Sequence, residues 1–264
     1  MKAVILAAGR GRRLGDLTAD RPKCLVPIGA STLLGRQVHT LRACGVSTIA
    51  VVAGFRTDDL RQACDPRIEI VVNESYDSTN SLYSLWLARH LLTEPFVVLN
   101  ADVLFHEQLL RDLLTSCDED ALLMAAVRGD QYGQEEMKVR VRAGCVSEIS
   151  KTMRPARADG ENVGIVKFGA EGVRVLVDEM KKTLEDGGRR AWLPRAFARF
   201  SRRRPLHVVE TRGYPWIEID SPEDYWRACA EVLPAIMRID QSRPDSRALS
   251  TATAGAAGGV TRRA

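Results

Sequence analysis

The amino-acid sequence predicts an α/β fold in which helices sandwich a mixed, mostly parallel sheet within a single domain. Residues 3–7 form an uninterrupted apolar run, which is expected of a strand buried on both faces of a parallel sheet. Through the N-terminal part of the chain such runs alternate with segments of helical spacing, and this alternation indicates βαβ units. The length of 264 residues and the apolar fraction of 45% are ordinary for one such domain.

The first half of the chain supplies the parallel units. Leu34, Val38 and Leu41 recur at the spacing of one helix face, and Gly45 follows as a stop signal, so a helix is predicted over residues 32–44. The other helices predicted in this half cover residues 57–64 and 80–92. The predicted strands cover residues 3–7, 48–52, 67–72 and 96–99. Because helices join successive strands, these strands are expected to run parallel.

After Asp120 the predicted strands are separated by turns rather than helices, so the sheet is expected to become mixed. These strands cover residues 121–127, 137–141, 145–150, 163–168 and 206–210, and the helices cover residues 171–185, 190–200 and 223–233. No linker divides the chain, and one folded domain is predicted over residues 1–236. Residues 237–264 are dominated by Ser, Thr, Ala, Gly and Arg, and are predicted to form a disordered tail.

Composition and charge exclude several classes of protein. The chain has 38 basic and 34 acidic residues, and three of the four excess positive charges follow residue 236, so nucleic-acid binding is not predicted. The six cysteines include no CxxC pair, which indicates neither a zinc site nor a disulfide framework. The apolar run after Met1 is too short for a signal peptide, and no run of about 18 apolar residues predicts a membrane span. A cytoplasmic protein with reduced cysteines is therefore expected.

A glycine- and arginine-rich turn, AGRGRRLG, follows the first predicted strand. Backbone N–H groups of such a turn can approach a phosphate closely, although a tight surface turn would look the same. The turn is not the dinucleotide fingerprint GxGxxG, because Leu14 stands where the third glycine is needed. The GK[ST] of a P-loop occurs nowhere in the sequence. Arg13 lies within the turn and Lys23 follows it closely, and both could face a polyphosphate held by the turn.

The longer segment LAAGRGRRLGDLTADRPKCLVPIG resembles the N-terminal signature of the nucleotidyltransferases that build nucleotide sugars and CDP-alcohols. The family pattern runs LAAGxGxRL, then LT, then PK with a following Pro, and every element is present. The resemblance implies a Rossmann-like sheet of the nucleotide-diphospho-sugar transferase type. It places the nucleotide contacts at Leu6, Ala8, Gly9 and Gly11. It places the phosphate contacts, and hence the catalytic charges, at Arg13 and Lys23, while Arg10 and Arg12 are expected to be solvated.

Two carboxylates far apart in the sequence are predicted to meet at one edge of the sheet. Asp102 follows the fourth predicted strand, and ligands of α/β proteins bind at the carboxyl ends of parallel strands. Asp220 precedes Ser221, which is predicted to cap a helix. The cap explains why Ser221 is present but gives no structural reason for an aspartate at position 220. The segment WIEIDSPED resembles the W-x-E-I-D-T-P-E-D ending of the same family, whose paired aspartates hold Mg²⁺, so the resemblance implies Asp102 and Asp220 as metal ligands. Glu218 is predicted to share a strand face with Asp220 and to support the site.

The motif NSLYSL at residues 80–85 looks like the bacterial phosphocholine cytidylyltransferases and their phosphonate-cytidylylating relatives. This resemblance implies a Mg²⁺-dependent enzyme that joins CMP from CTP to a small phosphonate or phosphate acceptor and releases pyrophosphate. Asn80 is a candidate nucleotide contact or helix cap, and Ala101 is a further nucleotide-contact candidate. One alternative is a sugar-1-phosphate nucleotidyltransferase. Another is a non-catalytic nucleotide-binding regulator, against which the intact lysine and paired aspartates argue.

Five cations are candidates for the acceptor site. They are Lys138, Lys151, Arg189, Arg190 and Arg195. The arginines stand where relatives that handle cationic acceptors tend to carry acidic residues, so an anionic acceptor such as a carboxylated phosphonate is expected to be preferred over phosphocholine. The alternative is that the arginines form a solvated helix face. The sequence leaves the oligomeric state open, with a homodimer as one alternative.

Overall fold

The computed structural model describes residues 1–126 and 136–242, and the strands of this part of the chain build three sheets. In chain order the strands are β1 (Lys2–Ala7), β2 (Pro27–Ile28), β3 (Ser31–Thr32), β4 (Thr48–Ala53), β5 (Glu69–Val72), β6 (Phe96–Asn100), β7 (Val103–Phe105), β8 (Ala121–Ala125), β9 (Lys138–Arg142), β10 (Cys145–Ser150), β11 (Gly160–Phe168), β12 (His207–Glu210) and β13 (Trp216–Glu218).

Helices connect these strands and cover the main sheet. They are α1 (Leu33–Ala43), α2 (Thr57–Ala63), α3 (Ser81–Leu87), α4 (Glu107–Thr115), α5 (Ala170–Glu185), α6 (Pro194–Phe200), α7 (Pro222–Arg227) and α8 (Leu233–Ser242). Thr32 caps α1, and its side chain accepts a hydrogen bond from the N–H of Gly35. This agrees with the predicted start of the helix at residue 32. None of the described helices is both long and apolar enough to cross a membrane.

Nine strands form the central sheet in the order β5-β4-β1-β6-β11-β8-β12-β10-β9. The first four run parallel, which confirms the βαβ units predicted for this half. β11 runs antiparallel to both of its neighbours, and β10 does the same. Among the described strands of the second half, β8 and β12 are the one parallel pair. The prediction of a mostly parallel sheet therefore holds only for the first four strands. An apolar run reports that a strand is buried but not in which direction it runs.

The two faces of the central sheet carry separate apolar clusters. Ile5 of β1 packs into the cluster formed with α1 and α4, whereas its neighbour Val4 packs into the cluster formed with α3, α5 and α6. Both residues are fully buried. The uninterrupted apolar sequence of β1 is explained by this double coverage, because residues 3–5 are buried whichever face of the sheet they point to.

A small antiparallel sheet brings a distant segment to the end of β6. Glu218 of β13 pairs with Val103 of β7, and Trp216 pairs with Phe105. The N–H of Ile219 donates to the carbonyl oxygen of Asp102 over 2.9 Å. The residues after β13 are thereby fixed beside the residues after β6.

The end of the described chain is helical where the sequence predicts disorder. Residues 237–242 belong to α8, although the tail is predicted to begin at residue 237. Leu233 and Ile236 of this helix are buried, and Nε2 of His106 lies 3.2 Å from Oδ1 of Asp240. These contacts with the folded body stabilise a helix that composition alone does not predict. The rest of the predicted tail, residues 243–264, lies outside the described residues.

Candidate active site

A cavity of about 370 Å³ opens at the carboxyl ends of β1 and β6. Leu6 near the end of β1 and Asn100 at the end of β6 both line it. The glycine-rich turn, the start of α3, part of β11 and the segment before α6 complete its wall. This edge of a parallel sheet is where α/β proteins bind ligands.

The glycine-rich turn after β1 is shaped to lie against the cavity. Leu6, Ala8, Gly9 and Gly11, the predicted nucleotide contacts, all line it. Gly11 has a φ of 72°, and a Cβ there would lie 2.8 Å from Cβ of Lys23. Glycine is therefore required both by the left-handed backbone and by the close approach of Lys23. The hydroxyl of Thr18 donates to the carbonyl oxygen of Gly11 over 2.9 Å and fixes the turn.

The two remaining nucleotide-contact candidates have different positions. Asn80 lines the cavity and also caps α3, since its side chain accepts a hydrogen bond from the N–H of Ser81. The two alternatives weighed for Asn80 are thus compatible. Ala101 is buried and donates its N–H to the carbonyl oxygen of Leu6 over 3.1 Å. It is not among the residues lining the cavity, and its assignment as a nucleotide contact is corrected to a link between β1 and β6.

Lys23 joins the two predicted metal ligands. Its Nζ lies 2.8 Å from Oδ2 of Asp102 and 2.6 Å from Oδ1 of Asp220. Arg13 approaches the other oxygen of Asp220, with Nη2 and Oδ2 2.8 Å apart. Burial alone would lower the pKa of Lys23, but the two aspartates outweigh it and leave that pKa raised. Lys23 is therefore a charged ammonium at neutral pH.

Three carboxylates at this end of the cavity could hold a metal ion. Asp102, Glu218 and Asp220 each present an oxygen, and these three oxygens lie within 4.8 Å of one another. Oδ1 of Asp102 is buried, and no described group hydrogen-bonds to it. A buried carboxylate oxygen without a partner is costly, and a cation would satisfy it. Because Mg²⁺ prefers carboxylate oxygens, phosphate oxygens and water, the three side chains fit this ion.

Glu218 is more central to the site than the sequence suggests. Its carboxylate lines the cavity with the two aspartates, so it could bind the metal directly. The Glu218 side chain is exposed to solvent, but nearby protein atoms still reduce its hydration, and together with the negative charges of Asp102 and Asp220 this raises the pKa of Glu218 to about 8. With this pKa, Glu218 is protonated in most of the molecules at neutral pH when no metal is bound, and a bound cation would favour its ionised form.

Of the two lysines predicted to meet an acceptor, only Lys151 lines the cavity. Its Nζ lies over the ring of Trp192, 4.5 Å from the centroid. Lys138 is 1% exposed, and its Nζ donates to the carbonyl oxygens of Lys151 over 3.1 Å and Glu136 over 3.4 Å. The assignment of Lys138 as an acceptor contact is therefore corrected, since its ammonium is used to hold the main chain at Lys151.

The predicted arginine cluster also lies outside the cavity lining. Arg189 stacks on the ring of Tyr83, 4.7 Å from its centroid, and Arg190 donates from Nε to the carbonyl oxygen of Ser78. Arg195 is exposed in α6. The alternative of a solvated face is the one that these positions favour. Of the five predicted acceptor cations, Lys151 alone is among the described residues that line the cavity.

Several cavity residues could not have been found from the sequence. Arg12 lines the cavity, although it is expected to be a solvated loop charge. Trp192 and Asn100 also line it, and neither belongs to a recognisable motif. The need for glycine at position 164 becomes evident only in the fold. Its φ is 84°, and a Cβ there would lie 2.6 Å from Nδ2 of Asn100. These residues converge through long-range packing, which periodicity does not report.

Comparison with known proteins places the chain among nucleotidyl-transferring proteins. A family model described as the MobA-like NTP transferase domain matches residues 3–200. The bifunctional IPC transferase and DIPP synthase of Rubrobacter xylanophilus is 31% identical over 228 residues, which cover 84% of this chain and 50% of that protein. The choline-phosphate cytidylyltransferase of Streptococcus pneumoniae is 31% identical over 210 residues, covering 69% of this chain and 90% of that protein. The chain thus spans about half the length of the bifunctional relative and most of the second.

A solved structure supports the architecture. The inositol-1-phosphate CTP transferase from T. maritima aligns with a TM-score of 0.73 at 21% identity, covering 92% of this chain and 97% of the other. At this identity the likeness shows the fold alone. It confirms the predicted single-domain α/β architecture of the nucleotide-diphospho-sugar transferase type.

Proposed function

The chain belongs to the MobA-like NTP transferase family, and we propose that it is a Mg²⁺-dependent cytidylyltransferase that joins CMP from CTP to a small phosphate or phosphonate. The observation that carries this proposal is the position of Lys23. It bridges Asp102 and Asp220 at the place where the glycine-rich turn meets the cavity. Such a cluster of paired carboxylates and cations suits a polyphosphate with a divalent ion, rather than a neutral ligand.

The proposed reaction is an in-line displacement at phosphorus. An oxygen of the acceptor forms a bond to the α-phosphorus of CTP while the bond from that phosphorus to the bridging β-phosphate oxygen breaks. Pyrophosphate leaves with the electron pair, and the product carries CMP in a new phosphoanhydride. No general base is needed, because a phosphate or phosphonate oxygen is already ionised near neutral pH.

The residues of this chain supply binding, orientation and charge. The N–H groups of the glycine-rich turn and the side chain of Asn80 border the space for the nucleotide. Lys23 and Arg13 would place positive charge where negative charge accumulates on the transferred and leaving phosphates. Asp102 and Asp220, with Glu218, would hold Mg²⁺, which would supply further neutralisation of phosphate oxygens.

Fewer of the candidate acceptor cations line the cavity than the sequence predicts. Lys151 remains at the cavity, whereas the arginine cluster does not line it. The cluster therefore gives no reason to prefer a carboxylated phosphonate over phosphocholine. The CTP preference rests on the NSLYSL resemblance, on the likeness to a choline-phosphate cytidylyltransferase and on the presence of Asn80 and Ser84 in the cavity wall.

A substrate panel tests the proposal. Pyrophosphate release is measured for the full chain with each of CTP, UTP, ATP and GTP, against phosphocholine, 2-aminoethylphosphonate, a carboxylated phosphonate and glucose 1-phosphate. We expect release with CTP and a non-sugar acceptor, and its loss when EDTA replaces Mg²⁺. A clear preference for glucose 1-phosphate would support the sugar-nucleotide alternative, and no release with any pair would contradict the proposal.

A further inference from the structure

We propose that Trp192 is a positioning residue that holds the ammonium of Lys151 in the cavity, where Lys151 binds the anionic group of the acceptor. This inference rests on the proposed function for the identity of the ligand. The contact itself is independent of it: Nζ of Lys151 lies 4.5 Å from the ring centroid of Trp192, and both side chains line the cavity.

Trp192 is half-exposed, with 47% of its surface accessible, which is unusual for so large an apolar side chain. Apolar packing therefore does not fully account for its position. The face of an indole ring attracts an ammonium group electrostatically, more strongly than the ring of Tyr or Phe does. A ring that leaves part of its surface in a polar cavity and carries a lysine ammonium is suited to hold that ammonium in place.

The main chain is held on both sides of Trp192, so the point from which its ring extends is fixed. The N–H of Leu82 donates to the carbonyl oxygen of Ala191, and the N–H of Leu193 donates to Oγ of Ser81 over 2.8 Å. Both bonds tie the segment to the start of α3, which also borders the cavity. The main chain that carries Trp192 is thus anchored to the start of the helix that Asn80 caps.

Lys151 is also held at its main chain, at the end of the residue opposite to its ammonium group. Buried Lys138 donates from Nζ to the carbonyl oxygen of Lys151 over 3.1 Å. The main chain of Lys151 is therefore anchored by one buried ammonium, and its own ammonium is oriented by an aromatic face. A long lysine side chain otherwise loses much rotamer freedom when it binds a ligand, and this arrangement reduces that loss in advance.

Nuclear magnetic resonance tests the contact without requiring turnover. The ε-methylene protons of Lys151, assigned by their loss in Lys151→Met, should lie upfield because of the Trp192 ring current. Trp192→Leu should return them to an ordinary lysine position. Methylphosphonate, used as the probe, should shift the same signal in the wild-type chain. An unshifted lysine signal, or one that does not respond to methylphosphonate, would overturn the proposal.

The affinity for methylphosphonate distinguishes positioning from direct contact. Trp192→Leu should raise its Kd by roughly three- to tenfold, the range expected from loss of one cation–π contact, while Trp192→Phe should stay within about twofold of wild type. Trp226→Leu is the matched control, because Trp226 is 62% exposed and does not line the cavity. Its Kd should be unchanged.

A double-mutant cycle completes the test. If Trp192 acts through Lys151, adding Trp192→Leu to Lys151→Met should cause no further loss of methylphosphonate affinity. Additive losses would mean that Trp192 contacts the ligand itself, and would overturn the proposal. In turnover, Trp192→Leu should raise the KM for 2-aminoethylphosphonate and leave the KM for CTP unchanged. If the wild-type chain makes no product with any acceptor, the cytidylyltransferase proposal fails, and the resonance and affinity measurements still decide the role of Trp192.

Discussion

At the scale of single residues, Lys23 links the parts of the site that the sequence presents separately. Its Cβ lies against Gly11 of the turn, and its Nζ contacts both Asp102 and Asp220. Its side chain is 12% exposed, so the ammonium is held mainly by these carboxylates rather than by water. A charge in this position can stabilise the fold, the transition state or both, and mutation separates these roles.

Lys23→Ala should reduce pyrophosphate release by about two orders of magnitude or more, because a charge partner of the transferred phosphate would be lost. Lys181→Ala is a suitable control, since Lys181 pairs only over 3.8 Å with Glu185 in the exposed part of α5. Initial rates at saturating CTP and acceptor provide the measurement. A Lys23→Ala protein that melts at a lower temperature but turns over normally would make Lys23 a structural residue.

Glu218 should make the stability of the metal-free protein depend on pH. Its pKa is raised from the usual value of 4.5 to about 8, so between these values the folded state keeps a proton that the unfolded state has released. The free energy of unfolding should therefore fall as the pH rises from about 4.5 to about 8. Glu218→Gln should flatten this dependence, whereas Glu210→Gln, an exposed carboxylate outside the cavity, should not.

Urea unfolding in EDTA at a series of pH values provides the measurement for Glu218. Equal slopes for the wild-type protein and Glu218→Gln would show that the Glu218 carboxylate titrates as an ordinary solvated one.

The central charges of the site could be predicted from the sequence, but their contacts could not. Lys23, Asp102 and Asp220 each occur in a local motif that can be read from neighbouring residues. The bonds between them span 79 and 197 positions, and no local pattern reports such distances. Trp192 was missed for the same reason, because its partner Lys151 belongs to another part of the fold. The position of the arginine cluster outside the cavity lining could not be predicted either, because charge alone does not tell which way a side chain faces.

At the scale of elements, two short strands and the last described helix determine where the carboxylates from the C-terminal part of the chain lie. β13 pairs with β7 directly after β6, and this pairing carries Glu218 and Asp220 to Asp102. Ser221 then caps α7 in a capping box with Asp224, as the sequence predicts for Ser221. α8 packs behind this segment, where Leu233 joins the apolar cluster that includes Ile217 and Ile219.

Leu233→Ala should lower the free energy of unfolding by about 2–5 kcal/mol, because Leu233 is 6% exposed and its removal leaves a cavity under α8. Met237→Ala, in the same helix, should change it by no more than about 0.5 kcal/mol, since Met237 is 50% exposed. Urea unfolding followed by circular dichroism gives both values. Equal effects of the two substitutions would mean that α8 does not pack on the folded body.

The elements themselves were predictable to different degrees. β1 and α1 follow from an apolar run and a helical spacing that end near the observed bounds. α4 and β7 were not predicted, although α4 carries Leu109, Leu110 and Leu113 on its buried side. β7 has only three residues, which is too short a sequence to indicate a strand. It is recognised as a strand because it pairs with β13.

At the scale of the whole molecule, the central sheet brings its parallel half and its mixed half to one cavity. The parallel half supplies the glycine-rich turn and Asp102, while β11 and the segment before α6 supply the opposite wall. A nucleotide at the turn and an acceptor beside Lys151 would therefore meet near the three carboxylates. We propose that nucleotidyl transfer at this meeting point depends on a metal ion.

Substitution of the two aspartates tests this claim most directly. Pyrophosphate release with Mg²⁺ and CTP is compared among the wild-type chain, Asp102→Asn, Asp220→Asn and Asp77→Asn, an exposed carboxylate outside the cavity lining. Circular dichroism and melting temperature verify that each variant is folded. We predict that either cavity substitution abolishes release while the fold stays intact, and that Asp77→Asn behaves as wild type. Near-normal release by Asp102→Asn or Asp220→Asn would contradict the account.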